Sequence, residues 1–155
     1  MAATPSAPSL AGPAPAARHP YRPAAAFLGV GWAFPLALAA DGSVATAAYE
    51  EDVRQSVLII LGTRRGERVM RPDFGAGLED FVFEPMSVAT QEAMKKRVQD
   101  SLIEWEPRID VLAVDVRSDA PALGRLLVDL SYRVRSTNTH YNLVYPFYLE
   151  EGAAT

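Results

Sequence analysis

The most concentrated chemistry in this sequence lies at Trp105-Glu106-Pro107-Arg108. A glycosidase needs two carboxylates about 5–9.5 Å apart, one of them raised in pKa by an apolar setting. Glu106, flanked by Trp105 and Pro107, is the best candidate acid, with Asp73, Glu79, Asp80 and Glu84 as candidate partners. That pattern is unspecific, because 19 acidic residues guarantee such pairings. The same residues suit binding better. Pro107 fixes φ and ends a helix, so Glu106 and Arg108 project from a rigid corner, with arginine offering a bidentate fork. Such a corner either clamps a partner or forms an internal salt bridge to the 66–75 loop, where Arg68 and Arg71 wait; both can hold at once.

Other constellations are weaker. Arg64, Arg65, Arg68 and Arg71 make a local basic cluster, but a nucleic-acid site wants aromatic interleaving and a net basic domain, and this chain carries −4. Gly75-Ala76-Gly77 lacks the following Gly-Lys-Ser/Thr of a phosphate loop. There is no cysteine, and the two histidines, His19 and His140, form no ligand pair, so neither a metal nor another cofactor is expected. No apolar run approaches the roughly 20 residues of a membrane span. The N-terminus, interrupted by prolines, does not read as a secretory signal, so synthesis in the cytoplasm is expected.

The elements that position these residues begin after an Ala/Pro-rich tail. Residues 1–26 hold six of the twelve prolines and ten alanines, too little apolar bulk to offset the entropy of ordering. The division expected is a disordered tail over 1–27, one folded domain over 28–150 and a flexible end over 151–155. Val30, Trp32, Phe34, Leu36 and Leu38 alternate on one face, and Ala40-Asp41-Gly42-Ser43 supplies a turn, a hairpin signal that Pro35 confines to an edge. Tyr49–Thr63 reads as a helix: three acids open it, Val53, Val57, Ile60 and Leu61 form one stripe, and Gly66 is placed to stop it. Residues 66–86 read as an ordered loop anchored by Leu78, Phe81, Val82 and Phe83. Ser87–Trp105 is a second helix, capped by Ser87 or Thr90, with Met94, Val98, Leu102 and Trp105 inward and Lys95-Lys96-Arg97 mostly outward.

Three strands follow. Leu112, Val114 and Val116 share a face; Leu126, Val128, Leu130, Tyr132 and Val134 form the cleanest alternation in the chain; Tyr141, Leu143, Tyr145, Phe147 and Leu149 alternate with Asn142, Val144, Pro146 and Tyr148. Pro146 cannot donate to a ladder, which predicts an edge position for this last strand. Unless residues 30–38 cover it, that edge can accept another chain's strand by β-augmentation. The predicted architecture is α+β: two main helices on a small antiparallel or mixed sheet with a C-terminal three-strand meander.

An ordered set of motifs carries a family resemblance. Gly31-Trp32-Ala33-Phe34-Pro35, Glu51-Asp52-Val53-Arg54-Gln55-Ser56, Gly66-Glu67-Arg68-Val69-Met70-Arg71-Pro72-Asp73-Phe74-Gly75 and Phe83-Glu84-Pro85 come first. Trp105-Glu106-Pro107-Arg108-Ile109, Tyr132-Arg133-Val134-Arg135 with Asn138, and Asn142-Leu143-Val144-Tyr145-Pro146-Phe147-Tyr148 follow. Together, from about Gly29 to Leu149, they resemble the "lysozyme-like" baseplate wedge family of contractile tails, which includes the TssE component of type VI secretion and its counterparts in phage-tail-like injection systems. The resemblance implies a structural protein of an assembled particle, without enzymatic activity, present in multiple copies in a six-fold baseplate. It implies docking on other wedge proteins through Glu106, Pro107 and Arg108, and the adjoining loop residues Arg68, Arg71, Pro72, Phe74 and Gly75 are expected to share that face. It also implies strand pairing with the contractile sheath protein through Tyr141–Tyr148, with hub or spike proteins as further partners. Ala76 stands where relatives often carry Cys, and the Ala/Pro tail has no counterpart in the family pattern. A peptidoglycan-cleaving hydrolase is the alternative.

Overall fold

Period-two alternation is strongest in Arg125–Val134, and this segment is the middle strand of the larger sheet. The computed structural model describes residues 22–120 and 125–148; the tail over 1–21, the connection at Pro121 and the terminus with Leu149 lie outside the described residues. In chain order the elements are a 3-10 helix (Pro23–Leu28), β1 (Val30–Trp32), β2 (Thr46–Ala48), α1 (Glu50–Gly62), a second 3-10 helix (Leu78–Phe81), α2 (Val88–Trp105), β3 (Ile109–Ala120), β4 (Arg125–Val134) and β5 (Thr139–Tyr148). The strands form two antiparallel sheets, β1-β2 and the meander β3-β4-β5, so the fold is α+β as predicted, with no parallel pair among the described residues.

One core joins both helices to the meander. Val53, Val57, Ile60 and Leu61 of α1 and Met94, Val98 and Leu102 of α2 meet Leu126, Val128, Leu130, Tyr132 and Val134 of β4. Each such side chain contributes about 1.5–3 kcal/mol by leaving water. Ser87 caps α2, its hydroxyl accepting from the Thr90 amide at 3.1 Å.

Four expectations need correction. Helix α1 ends at Gly62, ahead of Gly66. Thr63 turns extended, its hydroxyl donates to the Ile59 carbonyl at 2.6 Å, and the Ala76 amide takes the Ile60 carbonyl at 2.8 Å, so the returning loop closes the helix end. The first 3-10 helix, Pro23–Leu28, overlaps the end of the segment read as tail, and Ala25 within that segment is buried in the core beside Leu28. Phe83 does not join the loop's apolar anchor; Leu78 is buried, Phe81 and Val82 pack against the core, and Phe83 is 96% exposed. Finally, Leu112 faces solvent. A bulge between Val111 and Ala113 inserts it into β3, so Ile109 and Val111 before it and Val114 and Val116 after it all point inward.

The hairpin forms, with β1 paired to β2 and a bridge from Leu38 to Val44, but its apolar face looks outward. Val30, Trp32, Phe34, Leu36 and Leu38 are all exposed. Because its arms pair with each other, this hairpin does not cover β5, which stands at the edge of the meander as predicted.

Candidate functional site: a braced corner, an arginine loop and a free edge

Pro107 follows the last turn of α2, and the Glu106 amide still bonds the Leu102 carbonyl at 3.0 Å. The carboxylate of Glu106 is folded inward, leaving the residue 3% exposed. Arg108 satisfies it: Nε donates to Oε1 and Nη2 to Oε2, both at 2.6 Å. The remaining donors of Arg108 reach back across the fold, Nη1 to the Leu28 carbonyl (2.7 Å) and Asp52 (2.6 Å), and Nη2 to the Ser56 hydroxyl (3.0 Å). Its own carbonyl accepts from the Arg135 amide just past β4 at 3.0 Å. One guanidinium therefore ties the first 3-10 helix, α1 and the α2–β3 corner together. Hydrogen bonding to Glu106, then to Asp52, holds its pKa well above the ordinary arginine value despite partial burial.

The internal salt bridge is thus present, but not to the 66–75 loop. Arg68 and Arg71 instead lie over rings, Arg68 at 4.4 Å from the Phe74 centroid and Arg71 at 5.3 Å from that of Trp105. Phe74 and Trp105 meet edge to face at 5.3 Å. The loop holds its shape through the Gly66 amide on the Pro72 carbonyl (2.7 Å) and through Gly75, whose φ of +101° admits no ordinary side chain and where a Cβ would strike the Thr63 carbonyl oxygen. Ala76 beside it is fully buried, so a small side chain is required there. Arg68, Phe74, Trp105 and Pro107 with Ile59 and Ile60 line a cleft of about 390 Å³, in which Glu106, already held by Arg108, is the only lining carboxylate among the described residues.

The second site is β5. Tyr141, Leu143, Tyr145 and Phe147 turn toward the core, Asn142, Val144 and Pro146 turn to solvent, and Tyr148 is half-buried. Asn142 donates to Asp129 at 2.6 Å, and Tyr141 stacks on Tyr132 at 5.6 Å. Burial raises the pKa of Tyr141 and Tyr145 and pushes that of Tyr132 up to about 12. Pro146 opposite Leu127 has no amide hydrogen, so its backbone polar atoms point away from β4, and Val144, two residues earlier, shares that parity.

Sequence reasoning located the corner, the loop and the edge strand but not the partners that close the corner, Asp52, Ser56 and the Leu28 carbonyl. Asp52 and Ser56 at i, i+4 share one face of α1, which is a signal of a shared contact and says nothing of what meets them. Among the described residues no group of three or more His, Cys, Asp or Glu is placed to hold a metal ion, and no helix is long and apolar enough to cross a membrane.

Comparison with known proteins places this chain in a family. The family model described as baseplate wedge protein gp25 matches residues 47–139. The gp25 baseplate wedge protein of Enterobacteria phage T4 is 39% identical over 64 residues, 41% of this chain; the match spans about half of that relative, 48% of its length. Baseplate protein W of Escherichia phage P2 is 30% identical over 96 residues, 62% of this chain and 82% of that protein. Among solved structures, a candidate tail lysozyme from Geobacter sulfurreducens is 57% identical with a TM-score of 0.62, covering 67% of this chain and 94% of that one. A chain of the anti-feeding prophage baseplate is 25% identical with a TM-score of 0.60, covering 84% and 93%. A chain of the post-contraction pyocin R2 baseplate is 26% identical with a TM-score of 0.51, covering 77% and 98%. With the family model matching more than half its length, the chain belongs to the gp25 family of baseplate wedge proteins.

Proposed function

We propose that this protein is a structural component of the baseplate of a contractile injection system or phage tail, joining the wedge core to the first sheath ring. The single observation that carries the linkage is the β5 edge, which no strand among the described residues pairs on its outer side. An unpaired row of backbone donors and acceptors is a template for an incoming strand, and main-chain bonds supply the affinity. Tyr141, Leu143, Tyr145 and Phe147 anchor the strand from within while Asn142, Val144 and Pro146 face the newcomer's side chains. At the other site, Pro107 and the loop residues Arg68, Arg71, Pro72 and Phe74 form the face offered to other wedge proteins. Glu106, Arg108 and Gly75 stand behind it and set its shape. Hub or spike proteins are further partners of the same particle, and the chain is present in multiple copies around a six-fold axis.

Val144→Pro removes an outward-facing amide without touching the bonds to β4. Baseplates bearing it are expected to assemble and to recruit no full-length sheath in electron micrographs. Normal sheaths would sink the strand-addition role.

The structural neighbour described as a candidate tail lysozyme favours a second reading, wall hydrolysis. Against it, both carboxylate oxygens of Glu106 are engaged by Arg108, Asp80 is engaged by Arg97 and Glu79 lies 3.8 Å from Arg64. Release of muropeptides by the purified protein, lost in a Glu106→Gln chain shown by circular dichroism to remain folded, would establish the enzyme.

A further inference from the structure

We propose that the cleft beside the corner receives an acidic segment of a partner protein, a reading that rests on the docking role of this face. The charge accounting of the neighbourhood points there. Arg64 and Arg97 nearby have carboxylate partners, Glu79 and Asp80, whereas Arg68 and Arg71 have none within 4.0 Å among the described residues. Their guanidiniums rest on Phe74 and Trp105 instead. Stacking orders a guanidinium against a ring face while leaving its N–H donors unspent, so both forks are pre-organised for an acceptor that no described residue supplies.

The loop is built to present them side by side. A turn from the Arg68 carbonyl to the Arg71 amide (3.1 Å), with Met70 at a φ of +66°, brings both arginines onto the Phe74–Trp105 pair and sends Val69 and Met70 out, 86% and 92% exposed. The 390 Å³ cleft shares Arg68, Phe74 and Trp105 with a second one of about 160 Å³ that adds Arg71. Glu67 lines a neighbouring space together with Arg68 and Phe74, and its carboxylate accepts from the Arg64 amide at 3.0 Å. The occupant that fits is a peptide segment with carboxylates to meet the two forks and an apolar residue between them for Phe74, Trp105, Val69 and Met70. A phosphate backbone offers anions too, but a chain of net charge −4 repels it over longer range, and its bases would gain no broad aromatic platform here.

The chain has two tryptophans, so Trp32→Phe, at a 72% exposed position, leaves Trp105 as the only one and its emission as a reporter of the cleft. The probes are a peptide of alternating glutamate and leucine, its glutamine counterpart, and a short oligothymidylate. The glutamate peptide is expected to change Trp105 emission saturably, to bind at least about tenfold more tightly than the glutamine peptide, and to weaken as salt is raised. Arg68→Gln and Arg71→Gln should each weaken it by about tenfold, the effect of losing one charge-assisted contact. Equal binding of the glutamine peptide, tighter binding of the oligothymidylate, or no response from the folded chain each overturns the proposal. Incorporation of the Arg68→Gln/Arg71→Gln chain into particles reads the docking role separately. Failed incorporation without peptide binding retires the acidic partner and keeps the docking face; normal incorporation retires both.

Discussion

Arg108 lays its guanidinium on the Glu106 carboxylate two residues before it, Nε to Oε1 and Nη2 to Oε2 both at 2.6 Å, across the backbone of Pro107. A pair so close in sequence would ordinarily be a local surface contact. Here it is a brace, because Arg108 also holds Asp52 and Ser56 of α1 and the Leu28 carbonyl. Breaking a buried pair from one side leaves a charge without its partner, at a cost of about 3–5 kcal/mol. Glu106→Gln is expected near the lower end, about 3 kcal/mol, since Asp52 still accepts from Arg108. Urea titration of the purified chain checks this. A change below about 1 kcal/mol would mean the corner is held by packing alone.

Gly75 and Gly66 both have positive φ, +101° and +82°, yet they should respond differently to alanine. At Gly66 the added methyl meets open space, and only the backbone preference is lost, about 1 kcal/mol. At Gly75 the methyl also drives into the Thr63 carbonyl and the end of α1, and the expected loss is about 2–3 kcal/mol. Thermal unfolding of the two variants side by side gives the ranking, and equal shifts would refute the packing role assigned to Gly75.

Tyr132 is expected to make the fold alkali-sensitive. Burial favours its neutral hydroxyl, raising its pKa from 10.0 to about 12 in the folded chain. A group whose folded pKa is raised contributes stability that is complete below the unfolded value and is lost as pH rises to the folded one. Because the unfolded chain gives up this proton first, folding should lose on the order of 2 kcal/mol between pH 10 and about 12, with no effect while the hydroxyl is neutral in both states. Tyr132→Phe should flatten this part of the stability profile while changing little at neutral pH, which denaturation at stepped pH would reveal.

The hairpin face provides a contrast with the core. Leu36 is 67% exposed, so Leu36→Ala should move stability by less than about 0.5 kcal/mol. Leu130 on β4 is fully buried, and the same substitution there should cost about 2–5 kcal/mol. A comparable loss at both positions would show that the hairpin packs inward in solution.

Local pattern was sufficient wherever an element obeys one period from end to end. The stripe Val53, Val57, Ile60, Leu61 names the buried face of α1, and the five alternating residues of β4 are all buried, because a regular backbone converts spacing directly into direction. Pro146 marked an edge for the same reason: a missing amide hydrogen is a property of the residue itself. Where periodicity is interrupted, the inference fails. Leu112 looked inward by parity, and one inserted residue between Val111 and Ala113 reverses that parity.

What the sequence by itself determined is the set of regular faces, the stiff corner at Pro107 and the excess of arginine over acid in the 64–71 loop. Tertiary structure decided which charges find partners. Arg108 meets Asp52 across 56 residues of chain, and Leu28 across 80, while among the described residues Arg68 and Arg71 lie on rings and meet no carboxylate. The physical reason is that hydrogen bonds and ion pairs act over a few ångströms, and separation along the chain carries no information about separation in space until the core has packed.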